Sequence, residues 1–504
     1  MGAPQPPSPA YTALEARFRR IGLLGGVQAF LDWDTATMMP RGGAEARAEQ
    51  QAAIAAVVHR EVCAPELGDL LECATTETLD SGRAANLRAI RHRRTHAVAV
   101  PEHLVEEVNR ATARCEMAWR DARPANDFAS LRPHLEGVVR LVRERARAKA
   151  EALSVSPYQA LLDEHNPGLT EATVSRFFDA VEGSLPDLAR QVMAQQAREP
   201  APLPLPAPIA ADVQRRLGEH LMRMLGFDFA HGRLDESRHP FMSGSADDVR
   251  ITMRTDPNDV LSGLLAVAHE TGHALYERGL PTAWRWQPGG DAAGMAMHEA
   301  QALLWEMQIM RGRAFLRHFA PILQEQLGQR GPALAADNLV RVVQRVEPGM
   351  IRVDADECTY PLHVLLRYRL ETALFDGSLD VADLPAAWGD AMQRYIGVRP
   401  RNDGEGCMQD IHWMLGNFGY FPSYALGVTA AAQMVAAARK ELGDLDDAIG
   451  RGQFTGLLGW LRTHVHAHGS LRSIDELLTT ATGRSFDATA LETHLRHRYL
   501  ERAS

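Results

Sequence analysis

The stretch AVAHETGHALYERG, residues 266–279, contains two histidines four positions apart, with a glutamate directly after the first. Residues four apart lie on one face of an α-helix, about one turn from each other. The imidazoles of His269 and His273 can therefore both reach one zinc ion, with bonds of about 2.0–2.1 Å. The alternative is an amphipathic helix whose two histidines lie in the core or at the surface and bind no metal.

The residues around this stretch predict a helix. Asn258 or Asp259 can cap its first turn, LSGLLAVA supplies a buried face, and Gly279 can end it. On this helix Glu270 is better placed to hold a water molecule than to complete the coordination of a metal. That is the zincin arrangement, in which the metal acidifies a water and the glutamate takes its proton.

A third ligand is available in GMAMHEAQALLWEM, residues 294–307, which is a second helical pattern. Its Glu299 lies 26 residues after His273. Two histidines and one carboxylate leave a position open for water, as a catalytic zinc site requires. Glu306 is either a carboxylate that supports the ligands or a solvated charge, and His298 either orients Glu299 or simply packs.

The composition is that of a soluble globular protein: 45% of the 504 residues are hydrophobic and 23% are charged. The formal charge of −10 leaves no excess of cations to neutralise phosphates, so we expect no nucleic-acid partner. No run of 18 or more apolar residues occurs, so we expect no transmembrane helix and no membrane partner.

The cysteines and the N-terminal sequence predict a cytoplasmic protein. The five cysteines are odd in number and include no C-x-x-C pair, which favours reduced thiols over a disulfide framework. The first residues, MGAPQPPSPA, lack a basic region followed by an apolar core, so no secretory signal is expected.

Helical periodicity runs through most of the chain. Apolar residues recur at three- and four-residue spacings in SLRPHLEGVVRLVRERARAKAEAL (130–153) and in LPAAWGDAMQRY (384–395). Strand-like alternation is scarce, and DDVRITMRT (247–255) is the best case. We therefore predict a mostly α fold with at most one small β-sheet, near residues 240–255.

The chain is predicted to be one large helical domain, residues 11–504, preceded by a disordered proline-rich tail, residues 1–10. A second proline-rich segment, REPAPLPLPAP, spans residues 198–208 and cannot form a regular helix. It is either a domain linker or a surface connection between two long helices. We favour the second, because similar helical patterning resumes on both sides.

HETGH followed by HEAQ resembles the carboxypeptidase Taq family of zinc metallocarboxypeptidases. One departure is Ala300 of HEAQ, where the family usually has Ser or Gly. The likeness covers the chain from about residue 11, because other signature segments of the family follow in the family's order. These are WDTATMMP (33–40), HPF (239–241), DVRIT (248–252), IRVDAD (351–356) and GCMQDIHW (406–413).

The resemblance implies a zinc-dependent exopeptidase that removes single residues from peptide C-termini with broad specificity. It implies a mostly helical, two-lobed fold around a deep substrate groove, and a homodimer. His269, His273 and Glu299 are then the metal ligands and Glu270 is the general base. Co²⁺ or Mn²⁺ can share this ligand set with Zn²⁺.

Hydrolysis of a peptide bond develops negative charge on the carbonyl oxygen, which hydrogen-bond donors can stabilise. The segment IHWMLGNFGYFPSY, residues 411–424, supplies His412, Tyr420 and Tyr424. By analogy with related zinc peptidases, we expect His412 and Tyr424 to stabilise the oxyanion, with Tyr420 as a substitute. The alternative is that these tyrosines are core or groove-lining aromatics.

An exopeptidase must also bind the free carboxylate of its substrate, and the planar fork of arginine does this well. Arg352 of IRVDAD is the first candidate, because the family motif places it at the groove. Arg399 and Arg401, in GVRPRNDGEG, are further candidates. His239 of HPF either lines the substrate channel or packs against it.

Three functions are compatible with these residues. The leading one is a metallocarboxypeptidase that acts on peptides with a free C-terminus. The second is a zinc oligopeptidase that cuts internally and needs no carboxylate anchor. The third is a catalytically silent helical binding protein, against which the presence of both histidines, Glu270 and Glu299 counts.

Overall fold

The computed structural model describes residues 8–501, and these residues are mostly helical. They form two compact units, each built from three segments of the chain. Within the described range, the first unit comprises residues 8–97, 202–343 and 434–483, and the second comprises residues 98–201, 344–433 and 484–501. The prediction of a mostly α fold with one small sheet is confirmed.

The helices are numbered in chain order over the described residues. Their bounds are α1 (Pro9–Thr37), α2 (Ala44–Cys63), α3 (Pro65–Thr75), α4 (Ser81–Val98), α5 (Glu102–Ala125), α6 (Phe128–Leu153), α7 (Pro157–His165), α8 (Glu171–Gln196), α9 (Ala211–Leu225), α10 (Val260–Gly279), α11 (Met295–Leu303), α12 (Arg313–Leu327), α13 (Ala336–Val343), α14 (Tyr360–Asp376), α15 (Leu384–Tyr395), α16 (Pro422–Leu442), α17 (Leu445–Gly450), α18 (Thr455–His464), α19 (Ile474–Thr482) and α20 (Ala488–Tyr499). A π-helix (Leu304–Met310) directly follows α11.

The small sheet belongs to the first unit and has three strands in the order β1-β3-β2. The strands are β1 (Gly232–Glu236), β2 (Met242–Ser245) and β3 (Asp248–Met253). The central strand β3 runs parallel to β1 and antiparallel to β2. The predicted region near residues 240–255 contains β2 and β3, whereas β1 lies before it. The sequence of β1, GRLDE, has one apolar residue and no alternation of apolar and polar residues, so it does not predict a strand.

Each unit has its own apolar core. In the first unit α1 packs against α3 and α4, and the buried contacts include Tyr11, Leu14, Phe18, Leu71 and Ile90. In the second unit α5 packs against α6, with buried contacts that include Leu104, Val108 and Leu141. Burial of this kind, at about 1.5–3 kcal/mol for each large apolar side chain, provides the main stabilisation of helices.

Helix α10 lies in the first unit, where it packs against α9, α11 and β3. Of the two predicted capping residues, Asp259 caps the helix. Its carboxylate accepts a hydrogen bond from the backbone N–H of Ser262 at 3.0 Å. The helix ends at Gly279, as predicted. Most of its residues are buried, which fixes the rotation of the helix and hence the direction of its histidines.

The proline-rich segment joins α8 of the second unit to α9 of the first and has no regular secondary structure. Leu203 is held by Asn338, whose amide both accepts from its N–H (2.7 Å) and donates to its carbonyl (3.0 Å). Residues 1–7 of the predicted tail lie outside the described residues, and α1 begins at Pro9. The single domain of residues 11–504 stays a prediction. Among the described helices, none is long and apolar enough to span a bilayer.

Candidate active site

Helices α10 and α11 of the first unit bring the three predicted metal ligands together. His269 and His273 lie on α10, and Glu299 lies on α11. One ligand atom from each lies within 4.8 Å of the other two. The Nε2 atom of His269 is 3.7 Å from a carboxylate oxygen of Glu299, and the two imidazole rings are nearly perpendicular at 85°.

The two helices can approach this closely because residue 272, inside HETGH, is a glycine. A Cβ atom added to Gly272 would lie 2.6 Å from the Cα atom of Ala302 and 2.6 Å from the carbonyl oxygen of Gln301. Real Cβ atoms essentially never come so close to backbone atoms, so any larger residue would push α10 away from α11. The glycine therefore sets the distance between the histidines and Glu299.

Glu306 holds the ring of His269. The Nδ1 atom of His269 lies 2.9 Å from Oε2 of Glu306, so the ring donates to the carboxylate and leaves Nε2 on the side of Glu299. Of the two interpretations of Glu306, a supporting carboxylate is therefore the one that the contact favours. Glu306 is placed by the π-helix, a rare element that occurs frequently at functional sites.

Burial and neighbouring charges set the pKa values of the two histidines in this cluster. Burial alone would lower the pKa of His269, but the hydrogen bond to Glu306 and the charges of Glu270 and Glu299 outweigh it and raise the pKa to about 9. Burial and two neighbouring histidines hold the pKa of His273 well below its usual range, so that imidazole is neutral. The carboxylates thus favour positive charge on His269, whereas His273 stays neutral.

This donor set fits a catalytic divalent metal. Two imidazole nitrogens and one carboxylate oxygen are three of the four ligands of such sites, and the fourth position is left for water or substrate. Glu306 supplies the carboxylate that commonly fixes the ring of a metal-binding histidine.

Glu270 is buried beside these ligands on α10, with 8% of its surface exposed. Burial raises the pKa of its carboxyl to about 7, the charges of Glu299 and Glu306 raise it further, and His269 opposes the shift. A carboxyl in this range can both accept and release a proton near neutral pH.

His298 packs against a ligand. Its ring stacks on that of His273, with centroids 4.2 Å apart and planes at 17°. Its Nε2 atom lies 3.2 Å from a carboxylate oxygen of Glu277. Of the two interpretations of His298, packing is the one that these contacts favour.

We expect Glu306→Ala to weaken zinc binding by about 10- to 100-fold, the usual effect of losing the partner of a metal-binding histidine. The reason is that the ring of His269 loses the acceptor at its Nδ1 atom. Competition with a chromophoric chelator measures the affinity. Glu325→Ala on α12, which removes an exposed carboxylate of the same unit, is the control. Equal affinities in the two variants would contradict the role of Glu306.

In the second unit, His412, Tyr420, Tyr424 and Arg352 lie together. His412 Nε2 is 3.3 Å from the Tyr424 hydroxyl, and the ring centroids of His412 and Tyr420 are 5.7 Å apart. The guanidinium carbon of Arg352 lies 4.7 Å from the ring centroid of Tyr424. Burial and nearby arginines lower the pKa of His412 to about 4, so this imidazole is neutral at neutral pH.

Arg352 belongs to a buried group of charges that was not predicted. Asp410 accepts from Nη2 of Arg352 at 2.9 Å and from Nε of Arg367 at 2.7 Å. Two guanidinium groups against one carboxylate leave one net positive charge. Asp410 lies in GCMQDIHW, a motif that the sequence shows, but the sequence does not indicate which residues pair with it. Arg367 lies in an ordinary helical pattern, and nothing in the sequence predicts its role.

The remaining predicted residues lie in exposed positions. Arg399 and Arg401 have side chains that are 56% and 77% exposed and pair with Asp390 and Glu405. His239 is exposed in the connection between β1 and β2, where its carbonyl accepts from the hydroxyl of Ser237 at 2.6 Å.

Known proteins resemble the chain over nearly its whole length. The profile of the family described as carboxypeptidase Taq (M32) metallopeptidase matches residues 13–499. Thermostable carboxypeptidase 1 of Thermus thermophilus is 36% identical over 506 residues, covering 98% of this chain and 99% of the relative.

Solved structures share the fold. Trypanosoma cruzi metallocarboxypeptidase 1 superposes with a TM-score of 0.96 at 38% identity, covering 98% of this chain and 100% of that one. The M32 carboxypeptidase from Deinococcus radiodurans gives 0.93 at 34%, covering 98% and 99%. With HETGH and HEAQ brought together as described, the chain belongs to the carboxypeptidase Taq (M32) family of metallopeptidases.

Proposed function

We propose that this protein is a zinc-dependent metallocarboxypeptidase that removes single residues from the C-terminus of peptides, with broad specificity. The observation that carries the proposal is the convergence of His269, His273 and Glu299 within 4.8 Å, beside the buried Glu270. The relatives from Thermus thermophilus and Trypanosoma cruzi, which bear the name carboxypeptidase, support the choice of the substrate end.

His269, His273 and Glu299 would hold the metal, which we propose to be Zn²⁺, with Co²⁺ or Mn²⁺ as substitutes. When bound, such a metal supplies a Lewis acid for the scissile carbonyl and lowers the pKa of a water molecule. Glu306 keeps the ring of His269 oriented for this role.

Glu270 acts as general base and then as general acid. Its carboxylate takes a proton from the attacking water and delivers it to the nitrogen of the departing residue. Burial helps both steps, because it raises the pKa of Glu270 towards neutrality and so keeps the two protonation states close in free energy.

His412 and Tyr424 would donate hydrogen bonds to the developing oxyanion, with Tyr420 as the substitute. A neutral imidazole carries one N–H, and the hydroxyl of Tyr424 lies 3.3 Å from the Nε2 atom of His412, so the pair forms one polar group. The low pKa of His412 supports a role as a neutral donor and argues against its being the general acid.

Arg352 would anchor the free carboxylate of the substrate. The net positive charge of Arg352, Arg367 and Asp410 attracts an anion, and a buried guanidinium does so with little screening by water. Arg399 and Arg401 are weaker candidates, because both side chains are exposed and their charges are more strongly screened by water. His239 would line the substrate channel.

Two peptides of the same sequence, one with a free C-terminus and one amidated, test the proposal. The zinc-loaded protein should release single C-terminal residues from the free acid, followed in time by mass spectrometry. The amide should react at least about 10- to 100-fold more slowly, because a charge-assisted hydrogen bond contributes about 1.5–3 kcal/mol. Internal cuts in both peptides would indicate an oligopeptidase, and cleavage of neither would indicate a catalytically silent protein.

The proposal extends to a cytoplasmic homodimer. The five cysteines are free thiols, which suits a reducing compartment. The homodimer rests on the family resemblance, and sedimentation velocity of the purified chain tests it.

A further inference from the structure

Glu371 of α14 is a carboxylate with none of its surface exposed. It accepts three hydrogen bonds: from the indole Nε1 of Trp413 at 2.7 Å, from the backbone N–H of Gly419 at 3.0 Å, and from the hydroxyl of Tyr158 at 2.8 Å. Burial raises the pKa of Glu371 to about 7, and the three hydrogen bonds oppose this shift because they favour the ionised carboxylate.

Two of the three donors belong to residues 411–421, here termed the His412 loop. Trp413 directly follows His412, and Gly419 directly precedes Tyr420. Glu371 of the neighbouring helix therefore attaches the loop next to both side chains. The indole of Trp413 also stacks on Phe418, with planes at 8°, and Nη2 of Arg145 donates to the carbonyl of Gly416 between them at 3.0 Å.

The backbone of the loop lies against α7 at the second attachment point. Gly419 has φ of +77°, and a Cβ atom there would lie 2.9 Å from the carbonyl carbon of Leu161. This close approach aims the N–H of Gly419 at Glu371. At Gly419 the backbone of the loop is thus both packed against α7 and hydrogen-bonded to Glu371.

We propose that Glu371 is a positioning residue, which holds the His412 loop so that His412, and Tyr420 as the substitute for Tyr424, keep the geometry that peptide hydrolysis requires. The inference rests on the proposed function, because His412 and Tyr420 have a catalytic role only there. Glu371 itself touches neither the metal ligands nor the substrate in this scheme. It acts through Trp413 and Gly419.

The chemistry of the contact requires a carboxylate. Its two oxygens accept all three donors, whereas the amide of a glutamine offers one oxygen and places its NH₂ group against a donor. If the amide oxygen faces Gly419 and Tyr158, the indole N–H of Trp413 is left unpaired. If the amide is flipped, the N–H of Gly419 is left unpaired. Either way Glu371→Gln breaks one attachment of the loop.

Three variants of the full zinc-loaded chain separate positioning from general stability. Glu371→Gln should loosen the loop, and Trp413→Phe should do so more weakly, because it removes the N–H and keeps an aromatic ring. Tyr158→Phe is the matched control, since it removes a donor from the same carboxylate, yet Tyr158 lies on α7 and outside the loop.

Hydrogen exchange of residues 411–421, followed by mass spectrometry, reports the position of the loop without reference to catalysis. We expect exchange to be about tenfold faster or more in Glu371→Gln and unchanged in Tyr158→Phe. For peptide hydrolysis we expect kcat to fall by about 10- to 100-fold in Glu371→Gln, with KM within about threefold and zinc affinity unchanged.

The outcomes distinguish the inference from the function on which it rests. Unchanged exchange in both Glu371→Gln and Trp413→Phe would overturn the inference. Faster exchange with unchanged kcat would overturn it too, because the position of the loop would not matter for the reaction. If the wild-type chain cleaves no peptide, the proposed function is overturned. Faster exchange in Glu371→Gln would then show only that Glu371 attaches the loop.

Discussion

We expect Glu270→Gln to lower kcat for peptide hydrolysis by about 10²- to 10⁴-fold, the usual contribution of a positioned general base. Glutamine has nearly the same size but cannot take a proton from water, so only the proton transfer is removed. Zinc affinity should stay within about threefold, because Glu270 is not among the proposed ligands. Initial rates on a short peptide and metal content by mass spectrometry give the two quantities.

Glu270→Asp is the matched control for this variant. It keeps a carboxylate and shortens the side chain by one methylene, so it should lose less activity than Glu270→Gln. A Glu270→Gln protein that cleaves at the wild-type rate would rule out Glu270 as the base. A Glu270→Gln protein that has lost its zinc would instead place Glu270 among the residues that hold the metal.

The second large effect is expected from His273→Ala. His273 is one of three proposed protein ligands. Its loss should weaken zinc binding by more than the about 10- to 100-fold expected for a residue that only supports a ligand, and peptide hydrolysis should fall in parallel. Thermal unfolding provides a readout independent of activity. Zinc at 100 times its dissociation constant stabilises a protein by about 2.7 kcal/mol, and His273→Ala should lose this stabilisation at the same zinc concentration.

His298→Ala is the control for this experiment, because its ring stacks on that of His273 in the same cluster without being a predicted ligand. We expect it to retain most of the zinc-dependent stabilisation. If His273→Ala is stabilised by zinc as much as the wild type, the metal is bound elsewhere. If the two variants lose stabilisation equally, stacking rather than ligation explains the effect.

The sequence alone predicted the residues that converge in the first unit. The spacing of His269 and His273 needs only a helix, and the cap at Asp259 and the end at Gly279 are local signals. Glu299 was found because it lies in a second helical pattern at a suitable distance along the chain. These features depend on helical periodicity and on local capping residues, and both can be read from a single sequence.

The contact of Glu306 with His269 could not be predicted from the sequence. In a regular α-helix, residues seven apart share one face, so both a supporting carboxylate and a solvated charge were compatible with its position relative to Glu299. The π-helix (Leu304–Met310) changes the rotation of this segment, and nothing in LWEMQIM distinguishes a π-helix from an α-helix.

The charged group around Arg352 shows the same limit in the second unit. Arg352 and Asp410 are 58 residues apart, and Arg367 is 43 residues from Asp410. Such pairs are brought together by tertiary packing alone. A single sequence does not show which distant residues pack together. The motif GCMQDIHW could therefore be recognised, whereas the pairing of its Asp410 with Arg352 and Arg367 could not be predicted.

The division of each unit into three chain segments has a consequence for synthesis on the ribosome. The second unit is completed by α20, which packs against α8, and three side chains of this last helix bond the buried Glu357. They are His494 (2.7 Å), Arg498 (2.8 Å) and the hydroxyl of Tyr499 (2.9 Å). Glu357 lies five residues after Arg352. The buried ion-pair group around Glu357 therefore cannot be completed on the nascent chain until α20 has left the exit tunnel.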